Sequence, residues 1–393
     1  MIGVEFLGWG RPDGSAGVRN YVAIISTVHC TGPVGPRIAN RVENAVAIHH
    51  PHCRGGSAQG QKLLFRTLAG LGKNPNVGAV VVVGFGCEGT DAHELADEIA
   101  KTGKPVDCVT TRGEGGTLKT IEKGTRIART MAEEIRSMKR RTFDVSELMV
   151  GLKCGGSDAT SALAANPALG VACDMLIDAG GTVLFGEAHE ALGCARILAR
   201  RAVNKEVEKR ILETIVGQEQ KRRRVQTTSR GMSAGNVAGG LTTIEEKGLG
   251  SIMKSGSRMI QGVLDYAEKP TKKGLFMTWP IHQPNSDVQE LTGFAGAGAQ
   301  IMAFTTGRGS AVGYVIAPVI KITGNPETFK ILKDNMDINA GKILQGKGSV
   351  KAVGKRIFDM ILEVASGKRP RAEALGHKEF EIAAHGLYEV TRG

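Results

Sequence analysis

Runs of apolar residues alternate with amphipathic ones through the first 140 residues. "YVAIIST" (21–27), "AVAIH" (45–49), "AVVVVGFG" (79–86) and "VDCVTT" are continuous or nearly continuous apolar runs of strand length. Between them, 33–44, "QGQKLLFRTLAGLG", "DAHELADEIAKTG" and 117–141 carry helical periodicity with glycine or basic stops. Strands apolar on both faces, separated by helices, predict parallel sheets covered on both sides, an α/β protein. A second unit starts near Val145, with strands "LMVGLKC", "GTVLFGE" (181–187), "GLFMTW", "AQIMAFTTGRG" and "APVIKITGN". Helices are expected at "NPALGVACDMLIDAG", within 189–224, at 244–255 and near 288–298. The division falls at 1–143 and 144–393. The segment 226–243, rich in Gly, Ser and Thr, is too long for a turn and lies between structured stretches, which predicts a binding loop.

Composition narrows the partners. With 393 residues, 41% hydrophobic and 23% charged, the chain has length for two or three domains with true cores. No apolar run reaches the roughly 18–20 residues of a membrane span, and "MIGVEFLGWGRPDGS" lacks the pattern of a signal peptide, so a cytoplasmic protein without membrane contact is expected. The net charge is +12, but the densest basic runs, "KRRR" (221–224) and "KRR" (139–141), close helices, where cations favour the dipole. Aromatics are 4%, too few for stacking platforms, and nucleic acid is not expected as a partner. A basic balance also suits an anionic small substrate. None of the seven cysteines forms a C-x-x-C pair, so no zinc ribbon or thioredoxin motif is present.

The chemistry gathers where strands end. Cys30, Cys87 and Cys154 each follow a strand pattern, Glu88 stands beside Cys87, Glu187 closes "TVLFGE", and His50, His52 and Cys53 follow the second strand. If both sheets face one cleft, Cys30, Cys87, Cys154 and Glu88 could converge on a divalent transition metal, although each thiol could equally be a small buried side chain. "GFGCEG" (84–89) is not a dinucleotide fingerprint, because the third glycine and the distant acidic residue are missing, and no nucleotide is expected. Arg19, Arg308 and Lys321 stand where they could hold an anion, although each singly also reads as a solvated surface charge. "VGLKCGGSDATSALAANPALG" (150–170) places Lys153, Cys154, Ser157 and Asp158 between an apolar run and a helix. Two readings stay open there: a tight turn capped by Ser157 or Asp158, or the rim of an active site beyond the strand ends. Glu246, in "TTIEEKGLG", is either a catalytic carboxylate or an ordinary helix carboxylate.

"GWGRPDGSAGVRNYVAIISTVHC", "LAGLGKNPNVGAVVVVGFGCEG", "GLKCGGSDATSALAANPALG", "GGTVLFGEAHE", "AGGLTTIEEKGLG" and "FTTGRGSAVGYVIAPVIKITGN", in this order over roughly residues 8 to 325, resemble the altronate/galactarate dehydratase family of sugar-acid lyases. The resemblance implies two Rossmann-like, three-layer domains with the site in the cleft at the strand carboxyl ends. It implies water elimination from a hexonate or hexarate with help from Fe²⁺ or Mn²⁺, an iron–sulfur cluster ranking below a mononuclear ion. Within the matching pieces, Lys153, Glu187 and Glu246 are the candidate catalytic residues. Arg19, Ser157, Asp158, Asn166, Thr242, Thr243 and Arg308 are the candidates for binding substrate. Relatives of the large subunit expel sulfite from sulfolactate instead, and a non-catalytic sugar-acid-binding homologue is the other alternative. The family also implies a separate small subunit, acting as a lid against 231–243 and 278–287, and an oligomer. Two stretches depart from the family pattern, "HHPHCRGG" and "LFMTWPIHQPNSD", the latter lacking an aspartate soon after "FM". Both fall where substrate selectivity could be set.

Overall fold

The computed structural model describes residues 3–53, 57–186, 191–225, 232–279 and 286–383. Its strands, in chain order, are β1 (Glu5–Gly10), β2 (Ala16–Gly17), β3 (Tyr21–Ser26), β4 (Ala45–Ile48), β5 (Val77–Gly84), β6 (Val106–Thr110) and β7 (Arg141–Asp144). They continue as β8 (Met149–Cys154), β9 (Thr182–Phe185), β10 (Ile260–Asp265), β11 (Gly274–Trp279), β12 (Ile301–Thr306), β13 (Val319–Thr323) and β14 (Ile338–Asn339). Strands β3 to β6 form a four-stranded parallel sheet of order β4-β3-β5-β6. Strands β8 to β14, also parallel, form a seven-stranded sheet of order β10-β11-β9-β8-β12-β13-β14. The protein is mixed α/β with parallel sheets.

Why these runs are strands follows from their two apolar faces. Successive side chains of a strand point to opposite sides. Val22, Ile24, Val81 and Val83 pack on Ile38, Ile121 and Met131 of the covering helices. Ala23, Ile25, Val80 and Val82 pack the other way, onto Leu64, Leu68 and Leu95. That second cluster continues into Leu291, Phe294, Met302 and Phe304, so the small sheet's inner layer is shared with the large sheet.

Three elements differ from expectation. β1 pairs antiparallel with both β2 and β7, so residues 5–17 and 141–144 make a small sheet of their own. Phe6, Ala16 and Val18 enter the core of the large sheet rather than that of the small one. β10, "IQGVLD", is a further strand, its register shifting between Ile260 and Gly262. The described part of the glycine-rich loop contains a short helix, Ala234–Ala238, closed by a capping box between Ser233 and Asn236. No helix among the described residues is long and apolar enough to cross a membrane.

Candidate active site at the strand reversals

Each sheet has one point where the chain's direction of winding reverses. From β3 the chain moves to β4 on one side and then to β5 on the other; from β8 it moves to β9 and later returns to β12. In open parallel sheets, ligands bind beyond the carboxyl ends at such points. The β8/β12 reversal carries Lys153 to Asp158 on one strand and Thr306 to Gly309 on the other. Gly155 N–H donates to the Thr305 carbonyl (3.0 Å), and the Gly307 and Arg308 N–H groups donate to the Gly156 carbonyl (3.2 and 3.0 Å).

Adjacent residues of β8 face opposite ways, and this separates Lys153 from Cys154. Lys153 is buried and pairs with Asp287 (Nζ to Oδ1, 3.0 Å), the first residue of the helix Asp287–Gly296. Gly155 makes room for that pair, since a Cβ there would lie 2.7 Å from the Asp287 carboxylate and 2.8 Å from the Phe304 ring. In register across the sheet stand Lys153, Phe304 and Lys321, whose Nζ lies 4.1 Å from the centre of the Phe304 ring. Lys321 is fully buried, its Nζ donating to Ser310 Oγ at 3.3 Å, and desolvation pulls its pKa down to about 7 despite the attraction of Asp287, Glu379 and Asp337. One turn along the helix, Glu290 lies against Gly186 at the end of β9. Acidic residues suit this first helical turn, where the dipole is positive.

Segment 377–383 ties this face together. Glu379 accepts from Gly313 N–H (2.7 Å) and pairs with His377 (3.0 Å). Glu381 accepts from Ser286 and from Gln289 Nε2 (2.7 Å). The Ile382 carbonyl meets a ring nitrogen of His52 at 3.4 Å, which brings the end of the small sheet to the same place. His50 and His52 stack with ring centres 5.3 Å apart. His52 N–H donates to His50 Nδ1 at 3.2 Å, so the neutral His50 ring carries its proton on Nε2.

Burial, reinforced by His52, pushes the His50 pKa down to about 3. Between about pH 6.5 and pH 3 the unfolded chain binds this proton and the folded one does not, so stability is lost as pH falls through that window. The expected loss from this group is roughly 2 kcal/mol between pH 6.5 and pH 5. Urea midpoints of wild type and His50→Asn, compared at pH 7 and pH 5, should show a smaller acid drop in the variant. An equal drop would remove His50 from the account.

The other sequence candidates divide clearly. Cys154 points to the opposite face, where it is buried with Ser251 Oγ (3.3 Å) and Lys254 Nζ (3.2 Å). Cys30 and Cys87 are exposed. Both oxygens of Glu88 accept hydrogen bonds: Oε1 from Thr27 Oγ1 (2.8 Å) and Phe85 N–H (2.9 Å), Oε2 from the Gly86 and Cys87 N–H groups (2.6 and 2.8 Å). Its carboxylate thus fills the ring of amides after β5 from within. Among the described residues no group of three His, Cys, Asp or Glu side chains is arranged to hold a metal ion. Cys30, Cys87, Cys154 and Glu88 therefore do not fit a single metal, and an iron or manganese ion would need other donors.

Arg19, a candidate for binding substrate, is engaged elsewhere in this structure. Its guanidinium grips Glu373 twice at 2.6 Å and donates to the carbonyls of Val18, Val364 and Lys368. Asn166 is likewise consumed, donating to the Gly250 carbonyl (2.9 Å) and accepting from Thr305 Oγ1 (2.6 Å). Thr242, Thr243 and Glu246 form a helix cap. Glu246 accepts from Thr242 N–H and Oγ1 (2.8 and 2.7 Å), while its own N–H donates to Thr243 Oγ1 (3.1 Å).

Asp158 holds its turn, accepting from Thr160 Oγ1 (2.6 Å), Ser161 N–H (3.0 Å) and Asn325 Nδ2 (3.2 Å); a Cβ on Gly307 would overlap it. The Ser157 carbonyl accepts from Asn236 Nδ2 (2.9 Å), which docks the glycine-rich loop on the turn. Arg308 is exposed on the rim, donating to the Gly235 carbonyl (3.3 Å). Glu187 lies outside the described residues, as do residue 231 and residues 280–285 of the lid-facing segments. Asp287, which sequence reasoning did not single out, stands at the end of the segment that departs from the family pattern. A cavity of about 480 Å³ lined by Arg66, Met149, Lys269 and Gln300 lies at the amino ends of β8 and β12, away from this chemistry.

The chain is thus a parallel-sheet α/β protein with charged side chains at its strand reversals, and sequence comparison makes the assignment specific. Residues 8–136 match the family model described as D-galactarate dehydratase/altronate hydrolase, second domain, and residues 145–388 match D-galactarate/altronate dehydratase, C-terminal. The chain belongs to the galactarate/altronate dehydratase family. It is 36% identical over 393 residues to the (2R)-sulfolactate sulfo-lyase subunit beta of Chromohalobacter salexigens, covering 99% of each chain. It is 36% identical over 390 residues to the galactarate dehydratase (L-threo-forming) of Escherichia coli, covering 94% of this chain and 74% of the relative. To the altronate dehydratase of Bacillus subtilis it is 32% identical over 397 residues, covering 97% and 78%.

Proposed function

We propose that this protein is a lyase that eliminates water from a sugar acid, an altronate- or galactarate-like hexonate or hexarate, giving a 2-keto-3-deoxy acid. The observation that carries the reading is the buried Lys153–Asp287 pair at the β8/β12 reversal, with Lys321 two strands away. β-Elimination from a 2-hydroxy acid needs a cation beside the substrate carboxylate, where charge grows as the α-proton leaves, and a base for that proton. Lys153 supplies the first from a low-dielectric site, where an ammonium acts more strongly than in water. In this reading the two parallel-sheet halves work as Rossmann-like units that share one cleft. A separate small subunit closes it, which the sulfo-lyase relative supports by being itself a subunit matched over nearly its whole length. That same match favours a second reading, release of sulfite from sulfolactate, in which the acid chemistry is shared and only the leaving group differs.

The test is a 2-keto-acid assay on altronate, galactarate and (2R)-sulfolactate, with Fe²⁺ or Mn²⁺ and with or without a co-expressed small partner. Keto acid from a hexonate or hexarate, rising by orders of magnitude with the partner, is the expected result. Sulfite release from sulfolactate alone selects the second reading. No keto acid from any of the three by a folded protein with metal and partner overturns both.

A further inference from the structure

We propose that Lys321 is the base that removes the α-proton, while Lys153, paired with Asp287, holds the substrate carboxylate; this rests on the lyase reading above. The argument starts from position. Lys153 on β8, Phe304 on β12 and Lys321 on β13 are in register, so the three side chains leave one face of the sheet as a row. Both lysines are buried in strands that are otherwise apolar, although lysine is among the residues least often buried.

Their surroundings differ in the way that divides acid–base roles. Lys153 has the Asp287 carboxylate at 3.0 Å. Lys321 Nζ has Ser310 Oγ at 3.3 Å and the face of Phe304 at 4.1 Å. The charged groups around Lys321 come from every side. They are Asp287 on its helix, Asp337 before β14 (accepting from Lys321 N–H at 2.8 Å), and Glu379 with His377 in the closing segment. Lys153 on β8 leaves the same face of the sheet. The carboxylates attract at a distance, but desolvation dominates and brings the amine to about 7, where it is partly neutral at physiological pH. An amine made partly neutral by desolvation is suited to take a proton, while the Lys153 side chain, ion-paired with Asp287, is suited to bind an anion. Ser310 is half-exposed and links Lys321 Nζ to the surface.

The step balances. The neutral amine takes the hydrogen at C2 as a proton, and the C–H electron pair becomes the C2–C3 double bond. The group on C3 leaves with its bonding pair. A departing hydroxide takes the proton from Lys321 and becomes water, and the enol left behind converts to the 2-keto acid by moving its own hydroxyl proton to C3. With sulfite as leaving group, the Lys321 proton passes to solvent.

The experiment compares wild type and Lys321→Met with metal and partner present. It follows keto-acid formation, exchange of the C2 hydrogen in deuterium oxide, and the pH dependence of kcat/KM. Wild type should lose kcat/KM as pH falls through about 7. The variant should lose about 10²-fold or more in kcat, lose C2 exchange, keep KM within a few-fold, and show no limb near pH 7. Lys321→Arg covers the case in which the methionine variant does not fold: a permanent cation cannot take the proton and should be equally inactive. Either variant, folded and turning over at the wild-type rate or keeping the limb, overturns the assignment of Lys321 alone. Wild type that makes keto acid from none of the acids overturns the lyase reading and the base with it.

Discussion

Lys153→Met is expected to lower kcat/KM by about 10³-fold while shifting the melting temperature by no more than a few degrees. Both halves of this result follow from where the residue sits. Its ammonium is buried at the end of β8 with Asp287 at 3.0 Å, at the strand reversal where a ligand carboxylate would lie. A fixed cation in a dry site stabilises charge developing on that carboxylate without having to reorganise. Methionine fills nearly the same volume with apolar atoms, and replacing a buried ion pair by packed apolar groups is often neutral or stabilising. The Asp287 side chain is 36% exposed, so its carboxylate can turn to water when the lysine is gone. Steady-state kinetics beside a thermal melt decides the matter. Wild-type kcat/KM in a folded Lys153→Met protein would remove Lys153 from the reaction.

How far such a site can be foreseen depends on which physical signal each residue leaves. The parallel strands were readable because valines fill both faces of β5, "VGAVVVVG", a pattern few other elements produce. β10 was not, since "IQGVLD" is half polar and contains a glycine at its register shift. β1 and β7 escaped notice because their pairing joins residues more than 130 positions apart, which no local pattern encodes. Lys153 drew notice because a lysine near the end of an apolar strand must be satisfied at a cost, and the structure shows it buried and paired with Asp287. Cys154 misled because strand ends alone say nothing of direction, and the two-residue period sends neighbours to opposite faces. Thr243 and Glu246 stand three residues apart, the spacing of a capping box, and their hydrogen bonds close the start of a helix, a local role that their reading as site residues passed over. Asp287 had no such mark. Its role depends on where a helix begins over the ends of strands that lie far away in the chain.

Arg19→Ala should do the reverse of Lys153→Met, costing stability while leaving the chemistry of the folded molecules intact. The arginine lies just before β3, and its guanidinium reaches across to the last part of the chain. It holds both oxygens of Glu373 at 2.6 Å and donates to the carbonyls of Val364 and Lys368. Side-chain exposures of 7% and 17% place this pair in the interior, where solvent screens it little. Tyr21 donates to the same carboxylate at 3.2 Å, so the variant leaves a largely buried anion without its ion-pair partner. Removing one partner of a buried ion pair is far more damaging than replacing both, and the expected loss is about 3–5 kcal/mol. A fall in the urea midpoint at unchanged slope, with kcat and KM close to wild type below the transition, would confirm a structural clamp. A raised KM at unchanged stability would instead return Arg19 to the substrate. That outcome requires the guanidinium to leave Glu373 and three carbonyls for a ligand, at the cost of the hydrogen bonds it makes to them.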